Sequence, residues 1–204
     1  MSTSAPITSA PITSAPITSA PSLARPHAPT SLTLPDLLRT TDEHAAQVLD
    51  GRLEHLLPAD GYWPTRSRWY ARLHADEELD VWLISWAPDR STELHDHAGS
   101  LGALTVVDGT LTEQRWTGAG LRTRKLTAGA QAAFPLGWVH DVVNAEPAAP
   151  SRHRAGQTLS VHAYSPPLTA MSYYDISERG TLHRTRSVLT EYPEDVQPSA
   201  AVSA

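Results

Sequence analysis

The chain has 204 residues, of which 16 are lysine or arginine and 22 are aspartate or glutamate, so its formal net charge is −6. This length predicts one domain with extensions, and the negative charge argues against a protein that binds nucleic acid or anionic membranes through bulk charge. The chain has no cysteine, which excludes disulfides, thiolate metal sites and a cysteine nucleophile.

Residues 1–30 differ in composition from the rest of the chain. The pentapeptide Ser-Ala-Pro-Ile-Thr repeats at 4–8, 9–13 and 14–18, and six of the 17 prolines fall in this stretch. A proline at every fifth position prevents helix continuation, and one isoleucine per repeat buries too little apolar surface to offset the entropy of ordering the chain. We therefore predict a disordered tail at 1–30, a folded domain at 31–192 and a flexible C-terminal tail at 193–204.

Residues 31–60 are predicted to form a helical cap on the domain. Leucine, valine and alanine recur at spacings near 3.6 over 31–57, which is typical of an amphipathic helix. Asp36 and residues 41–43 offer side chains that can cap a helix N-terminus, and Pro58 ends the pattern. Because Gly51 interrupts the run, two or three short helices are as compatible with it as one long helix.

From Trp69 onward the pattern changes to short β-type runs separated by turn residues. The predicted strands are 69–73, 79–86, 101–107, 110–116, 121–126, 131–134, 139–144 and 158–165. Strands at this spacing, with no helical pattern between them, favour a closed antiparallel barrel or sandwich. The predicted fold class is therefore mainly β: a small antiparallel β-barrel with N-terminal α-helices.

Three histidines in this region could bind a metal. His95 and His97 flank Asp96 just before a predicted strand, and residues i and i+2 of an extended segment point to the same face. His140 closes the run that begins at Gly129. Three neutral imidazoles suit Fe(II), Ni, Cu or Zn and leave coordination positions for a substrate. The alternative is a chance His-x-His in a chain that contains ten histidines.

The glycines and prolines around these histidines resemble the two cupin motifs. The second motif matches at each of its fixed positions, which are Gly129, Pro135, Leu136, Gly137, His140 and Asn144. The first motif matches at His95, His97 and Gly109. It departs at Asp89, where the family usually has glycine, and at Gly102, where many cupins have a metal-binding glutamate. The resemblance thus implies a metal-binding cupin with a three-histidine site.

Residues 69–171 resemble the thiol dioxygenases, specifically the bacterial cysteine dioxygenase type I family. Four passages carry this resemblance, and they lie at 70–72, 91–97, 138–144 and 160–167. The resemblance implies a non-haem Fe(II) enzyme that adds both atoms of O₂ to a thiol and yields a sulfinic acid. It also implies a cis peptide bond at Ser165-Pro166 and, because the chain has no cysteine, a Tyr164 without the thioether crosslink of animal members.

The same resemblance assigns roles to particular residues. The implied iron ligands are His95, His97 and His140. The implied catalytic group is Tyr164, with His162 and Ser160 as the relay behind it. The alternative is a purely structural network, in which the three side chains only satisfy one another's buried hydrogen-bonding groups. The implied binding residue for the substrate carboxylate is Arg72. Tyr70, in the same passage, and Trp138, adjacent to His140, are further candidate substrate-binding residues. Arginine suits a substrate carboxylate because its planar fork donates two parallel hydrogen bonds.

The resulting expectation is an Fe(II)-dependent oxidation of L-cysteine to cysteine sulfinic acid. The alternatives are a dioxygenase for 3-mercaptopropionate or another small thiol, a non-catalytic metal-binding cupin that acts as a sensor or in storage, and a Zn or Ni cupin isomerase of sugar phosphates. The isomerase needs a cationic phosphate pocket, and the sequence suggests none beyond Arg72. The position of Arg72 favours cysteine, since relatives that act on 3-mercaptopropionate tend to have glutamine there.

The expected partners are a small thiol and O₂, with neither nucleic acid nor membrane, and a monomer is expected from the net charge and the resemblance. No run approaches the roughly 20 apolar residues of a membrane span. The N-terminus has neither the basic nor the apolar region of a secretory signal. We therefore expect a cytoplasmic protein.

Overall fold

The computed structural model describes residues 30–58, 63–64, 67–88, 91–144 and 158–193. The predicted tails, apart from their innermost residues Thr30 and Pro193, lie outside the described residues. The described chain is mainly β, with one α-helix at the N-terminal end followed by eleven strands.

Helix α1 spans Leu34–Leu49. Thr33 caps it in a reciprocal box with Asp36, in which each residue accepts a backbone N–H of the other. Gly51 follows at φ +83°, a left-handed conformation that ends a helix and that glycine adopts without strain. Beyond it lies only a 3₁₀ turn, Glu54–Leu56. The sequence predicted several α-helices, but the described chain has one. Its N-cap is Thr33, and not Asp36 or a residue of 41–43.

The strands form two antiparallel sheets. In chain order they are β1 Trp69–Ala75, β2 Asp80–Trp86, β3 Leu94–Asp96, β4 Leu101–Asp108, β5 Thr110–Trp116, β6 Leu121–Thr127, β7 Gln131–Phe134, β8 His140–Val143, β9 Thr158–Ser165, β10 Ala170–Ile176 and β11 Leu182–Leu189. The first sheet has the order β1-β2-β9-β4-β7, and the second has β11-β10-β3-β8-β5-β6. This confirms the predicted antiparallel β-barrel class.

Three strands were not predicted from the sequence. Strand β3 has three residues, too few for an alternating pattern. Strands β10 and β11 lie in the stretch after position 169, and β11 forms an edge of the second sheet with mostly exposed polar side chains. Its pattern therefore lacks the apolar alternation by which strands are recognised.

The core has two parts, one on each face of the first sheet. Between the sheets, Trp82, Leu104 and Phe134 of the first sheet meet Leu111 and Val142 of the second. On the outer face, α1 packs against β4, β9 and β7, and apolar residues of β2 belong to the same cluster. Every residue of β2 and β9 is consequently buried. Within the described residues, no helix is long and apolar enough to cross a membrane.

Replacing Leu37 by alanine is expected to destabilise the fold by about 2–5 kcal/mol, because it leaves a cavity between α1 and the first sheet. Leu37 is fully buried, whereas Leu49 at the end of the same helix is 68% exposed. Leu49→Ala is therefore the matched control, with an expected change within about 0.5 kcal/mol. Urea unfolding measures both variants, and equal free energies of unfolding for the two would contradict this packing of α1.

Candidate metal centre

The three predicted histidines meet inside the barrel. His95 lies on β3 directly opposite His140 on β8, and His97 follows β3 by one residue. All three side chains are buried. Their ligand atoms lie within 4.8 Å of one another. The spacing argument for His95 and His97, and the grouping of His140 with them, therefore hold in three dimensions.

Hydrogen bonds on the Nδ1 side of two rings direct Nε2 into this cluster. His95 Nδ1 donates to the Glu93 carbonyl at 2.9 Å, and His140 Nδ1 donates to Glu113 Oε1 at 3.1 Å. Each Nε2 then carries a lone pair. This pattern is the usual arrangement behind a metal-bound imidazole, since it fixes the tautomer and the ring orientation.

The Nε2 atoms fit a shared cation. His95 Nε2 lies 3.3 Å from His97 Nε2, and two nitrogens bound to one ion at about 2.1 Å lie roughly 3.0–3.4 Å apart. Among the described residues, the buried His140 Nε2 has no hydrogen-bond partner. Buried acceptors without a partner are costly, and a bound metal removes that cost. The donor set of three imidazoles suits Fe, Zn, Cu or Ni.

The charge of the cluster is set by its burial. Burial lowers the pKa of His95 and of His97 well below the usual value, and the neighbouring histidines lower it further. Burial alone would raise the pKa of Glu113, but hydrogen bonds and charges from His140 and Arg124 outweigh it and bring this pKa to about 2. The His95 and His97 imidazoles are thus neutral, and an ionised carboxylate lies behind His140.

The backbone around His95 and His97 is held in an unusual conformation. Glu93 and Ala98, on either side of these ligands, have φ values of 60° and 50°, a region that non-glycine residues rarely adopt. Asp141 on β8 accepts hydrogen bonds from Ser91 and Thr92. On the other side, Tyr174 donates to Asp96 at 2.6 Å. These bonds stabilise the strained segment.

Aromatic rings pack directly against the ligands. The Phe134 ring lies 4.2 Å from the His140 ring and 5.7 Å from the His97 ring, centroid to centroid. The Tyr164 ring lies 4.9 Å from that of His97. A Cβ added at Gly102 would lie 2.9 Å from the Phe134 ring and 3.4 Å from both His97 and Tyr164. The absence of a side chain at position 102 therefore leaves room for the histidines.

Ser160, His162 and Tyr164 form a buried hydrogen-bonded chain along β9. Trp86 Nε1 donates to Ser160 Oγ at 2.8 Å, Ser160 Oγ lies 2.9 Å from His162 Nε2, and His162 Nδ1 lies 3.2 Å from the Tyr164 hydroxyl. A serine hydroxyl that accepts from Trp86 still has its own proton to donate; in the His162 tautomer that accepts it at Nε2, Nδ1–H donates to Tyr164. The Tyr164 O–H is then free to donate elsewhere.

Burial keeps this chain neutral. It lowers the pKa of His162 to about 3 and raises the pKa of Tyr164 above its usual value. An uncharged His162 can donate from Nδ1 while it accepts at Nε2, as the chain requires. The resemblance-based grouping of these three residues thus corresponds to one continuous network beside His97.

Arg72 and Tyr70 lie on β1, on the face directed between the sheets. The Arg72 guanidinium lies 4.3 Å from the centre of the Trp82 ring and donates to the Glu191 carbonyl at 3.2 Å. Its Nε is 3.8 Å from Asp80 Oδ1. The Tyr70 ring contacts Trp82 as well, at 5.7 Å. Trp82 is in turn the register partner of His162, which connects this arginine to the hydroxyl network.

Trp138 lies behind the metal ligands. Its Nε1 donates to Glu113 Oε1 at 3.4 Å, and the Arg115 guanidinium lies 4.2 Å from its ring centre. Trp138 is half-buried against the core between the sheets. The partners of Trp138, Glu113 and Arg115, therefore lie on the Nδ1 side of His140. A contact between Trp138 and the substrate stays a prediction.

Two charged residues near the site, Glu113 and Arg68, were not predicted from the sequence. Glu113 orients His140. Its position in β5 could have identified it from the sequence, because it shares a strand face with Leu111 two residues earlier and both are buried. Arg68 precedes β1 and lies 4.6 Å from the centre of the Trp86 ring. Its positive charge acts on His95, His162 and Tyr164, so it is a second cation beside the network.

Comparison with known proteins gives one family match. The model of a family described as "Cysteine dioxygenase type I" matches residues 64–177. That is more than half of the chain, and it includes the three histidines and the whole β9 network. The cis peptide bond at Ser165-Pro166 agrees with the resemblance drawn from the sequence.

Several solved structures are similar at low identity. A protein with a double-stranded β-helix domain from Klebsiella pneumoniae is 16% identical over 65% of this chain and 92% of its own, with a TM-score of 0.42. A protein from Thermus thermophilus is 19% identical over 56% and 93%, with a TM-score of 0.43. A cupin 2 conserved barrel domain protein from Leptotrichia buccalis is 14% identical over 51% and 43%, with a TM-score of 0.40. Similarity at this level carries no conclusion about activity.

Proposed function

Because the chain belongs to the cysteine dioxygenase type I family, we propose that it is an Fe(II)-dependent thiol dioxygenase that converts L-cysteine and O₂ to cysteine sulfinic acid. Both oxygen atoms enter the product, the sulfur is oxidised and O₂ is reduced, so no further reductant is needed. The observation that carries the proposal is the cluster of three buried histidines beside the Tyr164 hydroxyl.

His95, His97 and His140 would hold the iron through their Nε2 atoms. Iron(II) bound by three neutral ligands keeps a 2+ charge, which favours the thiolate form of a bound thiol, and it supplies the redox chemistry with O₂. Glu113 and the Glu93 carbonyl keep the rings of His140 and His95 in the binding orientation. Phe134 excludes water from one side of the cluster.

Tyr164 would position the reacting groups. In the His162 tautomer whose Nδ1 donates to the tyrosine oxygen, the Tyr164 proton is available to a substrate atom next to the histidines. Its raised pKa keeps that proton on the tyrosine at neutral pH. The residue thus acts as a hydrogen-bond donor, with Ser160 and His162 as positioning residues.

Arg72 would bind the substrate carboxylate. Its side chain is 39% exposed, so a ligand can reach it, and a guanidinium has five donors, of which the Glu191 carbonyl uses one. Asp80 and the Trp82 ring hold the guanidinium in place. This location suits a substrate that chelates at the histidines with its amine and thiol and extends its carboxylate toward β1.

The Arg72→Gln variant is expected to raise KM for L-cysteine by roughly 30- to 150-fold. This factor corresponds to the loss of about 2–3 kcal/mol of binding free energy from the hydrogen-bonded pair of guanidinium and carboxylate. Cysteamine lacks the carboxylate, so its KM should not change. Arg68→Gln is the matched control because it removes the same charge near the network. If Arg68→Gln alone raises KM for L-cysteine, the carboxylate contact belongs to Arg68 and the assignment of Arg72 is wrong.

The proposed activity is tested by oxygen uptake of Fe(II)-loaded protein offered L-cysteine, 3-mercaptopropionate and cysteamine separately, with sulfinate detected by mass spectrometry. We expect the fastest uptake with L-cysteine and one sulfinate for each O₂ consumed. A preference for 3-mercaptopropionate would keep the iron chemistry and change the substrate. Iron-loaded protein that consumes no O₂ with any thiol would indicate a non-catalytic metal-binding cupin.

A further inference from the structure

A cluster of arginines lines a surface cavity next to the metal centre. The cavity has a volume of about 280 Å³, and its lining residues are Glu113, Arg115, Arg122, Thr123 and Arg124. We call it the arginine pocket. No cationic pocket beyond Arg72 was predicted, because these arginines are divided between two strands and only the pairing of β5 with β6 brings them together.

The register of the two strands places the charges in a ladder. Leu111 pairs with Leu126, Glu113 with Arg124, and Arg115 with Arg122. Since alternate residues share a face, all six side chains lie on one face of the sheet. Along the two strands, an apolar pair in the core is followed by the ion pair between Glu113 and Arg124. The next pair is Arg115 opposite Arg122.

Two like charges directly opposite each other in a sheet are destabilising. Arg124 Nε is paired with the Glu113 carboxylate, and the Arg115 guanidinium is held against the Trp138 ring. Neither Arg115 nor Arg122 forms an ion pair within the described part of the chain. The pocket therefore has three guanidinium groups against one carboxylate, in a chain whose net charge is −6.

The arginine pocket is separate from the metal site. Glu113 contacts His140 at Nδ1, whereas the buried Nε2 of the same ring has no hydrogen-bond partner and is the atom that would bind a metal. The two nitrogens lie on opposite sides of the imidazole. A molecule in the pocket would therefore be behind His140 and could not reach a metal on the Nε2 side.

We propose that the arginine pocket binds a small dianionic oxyanion of the phosphate or sulfate class. Such an ion would cancel the two unpaired positive charges and relieve the repulsion between Arg115 and Arg122. Guanidinium groups recognise these oxyanions through parallel N–H···O bonds, and two such contacts give a dissociation constant on the order of 1 mM. This site goes beyond the proposed dioxygenase activity and does not depend on it.

The test is calorimetric titration of the full chain with inorganic phosphate and, separately, with sulfate, against sodium chloride at the same ionic strength. We expect one saturable site for each dianion and none for chloride. Arg122→Gln should weaken phosphate binding by about tenfold or more, the effect of losing one charge-assisted contact. Arg179→Gln removes the same charge from an exposed turn between β10 and β11, and its binding should equal that of the wild type.

Binding that is identical in wild type and Arg122→Gln would overturn the proposal, as would the absence of saturable binding by the wild type. Acetate distinguishes a dianion site from a general anion site: acetate that binds as tightly as phosphate would overturn the assignment to dianions. Thermal unfolding in the same buffers shows whether Arg122→Gln is folded. If it is not, Arg115→Gln replaces it in the comparison.

Discussion

The His97→Ala variant is expected to lose its metal and, with it, all dioxygenase activity. Removal of one of three ligands should weaken metal binding by more than about 100-fold, which exceeds the 10- to 100-fold cost of losing a group that only hydrogen-bonds to a ligand. Because His97 Nε2 lies 3.3 Å from His95 Nε2, its loss also removes the nitrogen with which His95 would share the ion. Elemental analysis and oxygen uptake measure the two effects.

His183→Ala is the control for this prediction. His183 lies on β11 and is exposed, so the variant should bind metal and consume O₂ as the wild type does. A His97→Ala protein that retains about one tightly bound ion per chain would contradict the three-histidine site. Circular dichroism of both variants separates loss of metal from loss of fold.

The Gly102→Val variant is expected to lower dioxygenase activity by about 100-fold while the protein stays folded. A Cβ at this position would lie 2.9 Å from the Phe134 ring, and that ring is packed against both His97 and His140. Displacement of Phe134 would therefore shift two metal ligands, and a misplacement of about 1 Å costs about that factor in rate. Overpacking should also reduce the free energy of unfolding by about 1–3 kcal/mol.

Gly99→Val provides the matched comparison, since a Cβ at Gly99 has no atom within 4 Å and the residue lies only three positions away. Its activity should remain near that of the wild type. Oxygen uptake, metal content and urea unfolding are measured for both variants. A fully active Gly102→Val enzyme would mean that Phe134 does not hold the ligands in place.

Local patterns were enough to predict most of the fold and the three histidines. His95 and His97 follow the two-residue repeat of an extended segment, and His140 ends a run of glycine and proline that can be recognised without a structure. Strands β5, β7 and β9 have the predicted bounds, because the turn residues on either side can be recognised in the sequence. These features depend on neighbours along the chain.

The rest depends on neighbours in space, which a single sequence does not show. Glu113 matters because β5 lies beside β8 and brings its carboxylate to His140. The single helix results from the conformation of Gly51, whereas the apolar spacing continues beyond it. The arginine pocket results from the pairing of β5 with β6. Each is set by pairing or by backbone conformation.

The central position of β9 in the first sheet affects when the site can form during folding. Strand β9 lies between β2 and β4, and its register partners in β2 are about 80 residues earlier in the chain. Closing such long loops is entropically costly, so folding that depends on them occurs in milliseconds to seconds. During synthesis, the histidines leave the ribosome before Tyr164 and its relay. The pocket beside His97 therefore cannot be completed before β9 has been synthesised.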